Sequence, residues 1–198
     1  MPKKAELTSA YIIQKVAPVF NKKGYSATSM ADITLATGLT KGAIYGNFLN
    51  KNELAIKSFS YNINLITNAI AIEIEKEKSA INKLLAITKF YSKYYQFTLD
   101  FGGCPVLNIG VDANHQDPVL MQKVQKAIGN VQKFIESVIE SGIANNEIKQ
   151  SIDSKYYARQ IFARIEGAVF MTMTTKKEIY MKDMVKGLNH MIEKDIAL

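Results

Sequence analysis

The 198-residue sequence has no tryptophan, one cysteine, four prolines and two histidines. A lone cysteine, Cys104, excludes an intrachain disulfide and any metal site built from several thiolates. His115 lies between Asp112 and Asp117, but one histidine with two carboxylates falls short of a usual metal-ligand set and reads as a polar helix junction. His190 sits among apolar residues near the end of the chain and reads as a surface or interface residue. No uninterrupted apolar run approaches the roughly 18 residues of a membrane span. Lys3, Lys4 and Glu6 lead into a broken apolar pattern, unlike a signal peptide, so a cytoplasmic protein is expected. The motifs HExxH, GxxxxGK[ST] and GxSxG are all missing. Neither an enzyme nor a cofactor or metal site is expected. No segment alternates with a period of two, so strands are not expected, and no solenoid-length repeat occurs.

What is present suits a soluble chain with a substantial core: 47% apolar and 22% charged residues. The net charge of +7 is placed unevenly. Residues 1–51 carry seven lysines against two acidic residues, a net +5, while the rest carries 18 basic and 16 acidic. A basic head on a nearly neutral body fits a polyanionic partner for the head.

The stretch from Gly24 to Leu54 has the densest local signals. Ser29, with Asp32 three residues later, forms a helix start in which the hydroxyl can satisfy the first free amide donors. The helix it opens directs Met30, Ile33 and Leu35/Ala36 to a core, and Gly38 ends it. Thr40 is the next N-cap, and Lys41 to Phe48 fit barely two turns. Asn50 starts a further helix, with Glu53 in the reciprocal capping position. Two short helices across a glycine-containing turn form a helix-turn-helix pattern. Neither helix is long enough to stand alone, so a shared core of Val16, Phe20, Met30, Ile33, Leu39, Ile44 and Phe48 must hold them. Thr40, Lys41, Gly42, Tyr45 and Asn47 remain on the outer face, small or polar as a major-groove helix requires.

The run Phe20-x-x-x-Gly24-Tyr25, Thr28-Ser29-Met30, Ile33, Gly38, Lys41-Gly42-x-x-Tyr45-x-x-Phe48 and Lys51-x-x-Leu54 resembles the DNA-binding signature of the tetracycline-repressor (TetR) family. The resemblance covers roughly residues 8–54. One departure is Asn47, where the family often has histidine. The resemblance implies a helix-turn-helix domain over residues 1–50 and a larger helical ligand-binding and dimerisation domain over 51–198. It further implies a homodimer paired through the last two helices, a palindromic double-stranded DNA operator, and a small-molecule effector that releases a repressor. Lys41, Gly42, Tyr45 and Asn47 would then lie at the groove, with Ser29, Thr40 and Lys51 on phosphates. The rival reading is a helical small-molecule or electrophile sensor that does not bind DNA.

Beyond the head, helical spacing marks one helix over residues 5–23 with a kink or break at Pro18. A long helix follows from Asn50 to about Glu77, buried along Phe59, Ile63, Ile66, Ile70 and Ile74, and suits a rigid lever. Glu73, Glu75 and Glu77 read as its solvated end. A single helix over residues 79–100 comes next, then a break at Gly102-Gly103-Cys104-Pro105. A short apolar segment spans Val106 to Ala113. Asp117-Pro118 starts another helix that stops near Gly142. Two more complete an all-α chain of about nine helices. Gly167 and Gly187 permit close approach on the last two, within the subunit or between subunits. Tyr91, Tyr95, Phe101, Phe134 and Phe162, with Cys104 and Asn108, are candidates for an effector cavity. The segment Gly103-Cys104-Pro105-x-x-Asn108 resembles one found in a subset of TetR-type regulators, some of which sense electrophiles or oxidants through a nearby cysteine; the alternative is that Cys104 is a small buried hydrophobe.

Overall fold

A computed structural model describes residues 4–99, 101–114 and 116–198. His115 and residue 100 therefore lie outside the described residues. Ten α-helices follow one another: α1 (Lys4–Lys23), α2 (Met30–Thr37), α3 (Lys41–Tyr45), α4 (Lys51–Ile74), α5 (Ala80–Tyr91), α6 (Tyr94–Thr98), α7 (Pro105–Ala113), α8 (Pro118–Ala144), α9 (Ser154–Thr175) and α10 (Ile179–Met191). A π-helical turn, Ile192–Ile196, closes the chain. Among the described residues the only extended pairing is an isolated antiparallel bridge between Ile148 and Ala197.

The chain divides into two compact units. The first comprises Met1–Ile66 and Thr98–Ala127. Its centre is a cluster of Ile12, Val16, Phe20, Ile33, Ile44, Phe48, Leu54 and Ala55, with Met30, Leu39 and Tyr25 packed against it. Burial of each large apolar side chain stabilises by roughly 1.5–3 kcal/mol, which is what holds helices as short as α2 and α3. This is the shared core that the spacing implies, with one correction. Leu35 points away from it and is 86% exposed. In an eight-residue helix the core-facing stripe is narrow, and Ile33 and Thr37 occupy it.

Of the kink or break that the sequence suggests at Pro18, the break does not occur: α1 continues through it. Proline withdraws only the donor that would reach residue 14, and Gln14 is exposed, so solvent can satisfy that carbonyl. α7 packs on α1 within this unit. Gly102 makes that approach possible. Its φ is +93°, and a β-carbon there would run into the side chain of Lys22.

The second unit comprises Thr67–Phe97 and Ile128–Leu198. Here α10 packs on both α9 and α5. Met181, Met184, Leu188 and Met191 are the buried residues of α10, and Ile161, Phe162, Ile165 and Val169 are among those of α9. The single helix expected over residues 79–100 is two helices, which raises the helix count to ten. After Tyr91 the amide of Lys93 bonds three residues back to Phe90, and the Ser92 hydroxyl donates to the carbonyl of Lys89. These bonds compete with the α-helical ladder and end α5 without glycine or proline. The chain then resumes as α6, whose Phe97 ring meets Phe90 edge to face at 5.4 Å.

Candidate nucleic-acid interface

α2 starts as a complete capping box. The Ser29 hydroxyl accepts from the Asp32 amide at 3.2 Å, and Asp32 accepts from the Ser29 amide at 2.9 Å. Lys23 adds an ion pair to the same carboxylate. The ammonium of Lys23, then the Ser29 amide and hydroxyl, hold the Asp32 carboxyl well below the usual carboxylate range. At the other end Gly38 takes the left-handed conformation, φ +67°, and its amide closes on the carbonyl of Thr34. The Thr37 hydroxyl donates to Ile33 and accepts from the Leu39 amide, locking the turn. Thr40 then caps α3 by accepting from the amide of Ala43.

α3 has five helical residues, shorter than the two turns expected. Its buried side is Ile44, followed by Phe48 just beyond. The outer side is exposed: Thr40, Lys41, Gly42, Ala43 and Tyr45. The Lys41 ammonium rests over the Tyr45 ring at 5.8 Å. A β-carbon on Gly42 would meet nothing nearer than the Thr40 hydroxyl at 3.9 Å, so nothing inside the fold requires glycine there. Asn50 caps α4 by accepting from the amide of Glu53 at 2.9 Å. The Glu53 carboxylate accepts from Leu49, one residue before the expected partner.

The other expected contact residues have more committed surroundings. Both polar groups of Ser29 are bonded to Asp32. Asn47 is half-buried and bonded to Ala43 and Ser9. Lys51, the first residue of α4, lies over the Tyr25 ring at 4.7 Å. Burial draws its pKa down, while the carboxylates of Asp112 and Asp32 act to raise it. Leu49, 87% exposed, and Leu35 add apolar surface to this unit that no sequence motif marks.

The seven effector candidates are divided between the two units. Phe101, Cys104 and Asn108 belong to the first unit; Tyr91, Tyr95, Phe134 and Phe162 belong to the second. Cys104 is buried at the start of α7. The amide of Asn108 bonds to the carbonyls of Asn21 and Gly102. Tyr91 and Phe162 are buried, whereas Phe134 is 42% exposed. A recess of about 550 Å³ in the second unit is lined by Glu73, Glu77, Asn82, Leu85, Ala86, Lys89, Phe90, Lys93 and Phe97. Glu73 there is paired with Lys76 at 2.8 Å, which, with Lys89 and Lys93 nearby, keeps its pKa low. Among the described residues no cluster of three or more potential ligands could hold a metal ion, and no helix is long and apolar enough to cross a membrane.

Two capped short helices, a three-residue turn and a small polar outer face on the second define a helix-turn-helix protein. Residues 12–57 match the family model described as bacterial regulatory proteins, tetR family. Residues 80–188, more than half of the chain, match the tetracyclin repressor-like C-terminal domain. Among solved structures, a TetR-family transcriptional regulator from Cytophaga hutchinsonii is 33% identical, over 100% of this chain and 98% of its own, with a TM-score of 0.93. A TetR transcriptional regulator from Chloroflexus aurantiacus is 28% identical, over 98% of each chain, also with a TM-score of 0.93. The fatty acid metabolism regulator protein of Bacillus subtilis is 22% identical over 158 residues, 80% of this chain and 79% of its own. The chain belongs to the TetR family of helix-turn-helix transcriptional regulators. It is a DNA-binding regulator and not an enzyme.

Proposed function

We propose that the protein is a repressor that binds a palindromic operator as a homodimer and is released by a small-molecule effector, in the cytoplasm. DNA reading falls to residues 1–50, and effector binding and dimerisation to residues 51–198. The observation that carries the reading is the outer face of α3, where Thr40, Lys41, Gly42 and Tyr45 stand exposed on a rigidly capped helix. Lys41 and Tyr45 reach base edges or phosphates, and the Thr40 hydroxyl can still donate to a phosphate while accepting from Ala43. Lys51 and Ser29 lie at the starts of α4 and α2, where the positive helix ends favour an anion.

Dimerisation through α9 and α10 is supported by what α9 exposes. Tyr156, Ala163, Gly167, Phe170 and Thr174 are all exposed and recur at threes, fours and sevens, a stripe suited to a second helix. Gly167 and Gly187 have nothing within 4 Å of where a β-carbon would be, so neither glycine serves packing within the subunit. The effector site is supported by the recess beside α5, whose volume lies in the range of small-molecule sites. An effector acts by its differential affinity for the DNA-competent and released conformations.

Tyr45→Ala tests the reading. Operator binding in a gel-shift assay at physiological salt should weaken by about tenfold, within the 1–3 kcal/mol of a good groove contact. Helix content by circular dichroism should not change. Retained affinity would reject the assignment.

A further inference from the structure

We propose that Asn47 is a positioning residue for α3, not a reader of bases, and that it acts through Ser9 on α1. The Asn47 Nδ2 donates to the carbonyl of Ala43 at 2.9 Å, and its Oδ1 accepts from the Ser9 hydroxyl at 3.0 Å. The first bond satisfies one of the carbonyls that a helix end leaves open. The second carries that helix end across to a residue 38 positions earlier. Both side chains are half-buried, and the Ser9–Asn47 bond is partly shielded from water while the bond to Ala43 is exposed.

A five-residue helix cannot fix its own orientation. Ile44 and Phe48 anchor α3 by apolar burial, which is non-directional. A hydrogen bond is directional, and the Ser9–Asn47–Ala43 bridge supplies the direction the core lacks. α1 treats α2 in the same way, since the Tyr11 hydroxyl donates to the Thr37 carbonyl at 3.0 Å. Each reading-head helix is thus pinned near its C-terminal end by one polar side chain of α1. Base readout by asparagine works against this. A bidentate contact with adenine needs Oδ1 and Nδ2 turned together to the base edge, and here Nδ2 is turned to the Ala43 carbonyl and Oδ1 to the Ser9 hydroxyl.

This assignment rests on DNA reading by residues 1–50, and one experiment separates the two. The probe is a duplex that the unsubstituted full-length chain recovers from a random-sequence pool. Affinity, salt dependence and tolerance of single base-pair changes in that duplex are measured for Ser9→Ala, Asn47→Ala, the double variant and Ser9→Thr. Each alanine variant should weaken binding to every duplex by a similar factor, about tenfold for residues coupled through one bridge. The double variant should bind no worse than either single one, and Ser9→Thr, which keeps the hydroxyl, should bind normally. Base preferences and the salt slope should stay as they were, because no reading or phosphate group has been removed. Melting temperatures identify any variant that loses affinity merely by unfolding. The assignment is overturned if Ser9→Ala binds normally, if the two losses multiply in the double variant, or if Asn47→Ala relaxes preference at one base pair. Recovery of no duplex by the unsubstituted chain would overturn the DNA reading itself, and this assignment with it.

Discussion

Asn108 of α7 and Asn21 of α1 interlock. The Asn108 amide donates to the carbonyls of Asn21 at 2.9 Å and Gly102 at 2.8 Å, while the Asn21 amide donates to those of Phe101 and Gly103, both at 2.7 Å. Three carbonyls of the turn at 101–103 and one near the end of α1 are answered by two side chains. Asn21→Ala would leave two of those carbonyls short in a site where Asn21 itself is 1% exposed. We expect a loss of about 2–3 kcal/mol, the cost of unsatisfied buried acceptors, read as a lower melting temperature. Asn108→Ala should do nearly the same.

Gly42 separates stability from binding. Its backbone does not require glycine and a methyl group there meets only the Thr40 hydroxyl at 3.9 Å, so Gly42→Ala should stabilise the fold by up to about 1 kcal/mol through helix propensity. Operator affinity should nevertheless fall, since the methyl group would stand between α3 and the duplex. Thermal melting and a gel-shift assay on the same sample check both directions.

Asp32 links stability to acid. Its folded pKa lies below the ordinary 3.8, so the folded state takes up the proton less readily than the unfolded one. The stabilisation is therefore complete above about pH 4 and is lost as pH falls below that value. Asp32→Asn should flatten this acid limb of a stability-against-pH curve. Ser29→Ala should cost about 1 kcal/mol by removing the other half of the capping box.

Gly167→Glu tests the pairing of subunits. The new side chain enters open space on α9, so the monomer should fold with undiminished helix content. Sedimentation should show the dimer giving way to monomer, because a charge would be buried in the stripe formed with Phe170. A dimer that survives would move the interface elsewhere.

Local signals carried most of the reading head. Ser29 with Asp32, Gly38, Thr40, Asn50 and Asp117-Pro118 all mark helix ends that the structure has, because a cap is chemistry between residues two to four apart. The core of Val16, Phe20, Ile33, Ile44 and Phe48 was legible from helical spacing for the same reason. What stayed hidden was long-range. Asn21 with Asn108 and Ser9 with Asn47 join residues 87 and 38 positions apart, and neither pair belongs to a motif. The end of α5 at Ser92 escaped because a serine hydroxyl bonding to the carbonyl of Lys89 leaves no mark such as proline would. The aromatic residues suggested for an effector cavity differ in exposure, with Tyr91 buried and Phe134 exposed, a difference that residue type does not encode.

The brevity of α3 has a practical side. Ile44 alone within it faces inward, Thr40 fixes its start, and Ala43 takes part through its backbone, so the side-chain positions 41, 42, 43 and 45 are free of packing duty. A library randomised at those four positions could be screened for new target sites with little loss of foldable members, which makes the head a compact scaffold for engineered genetic switches.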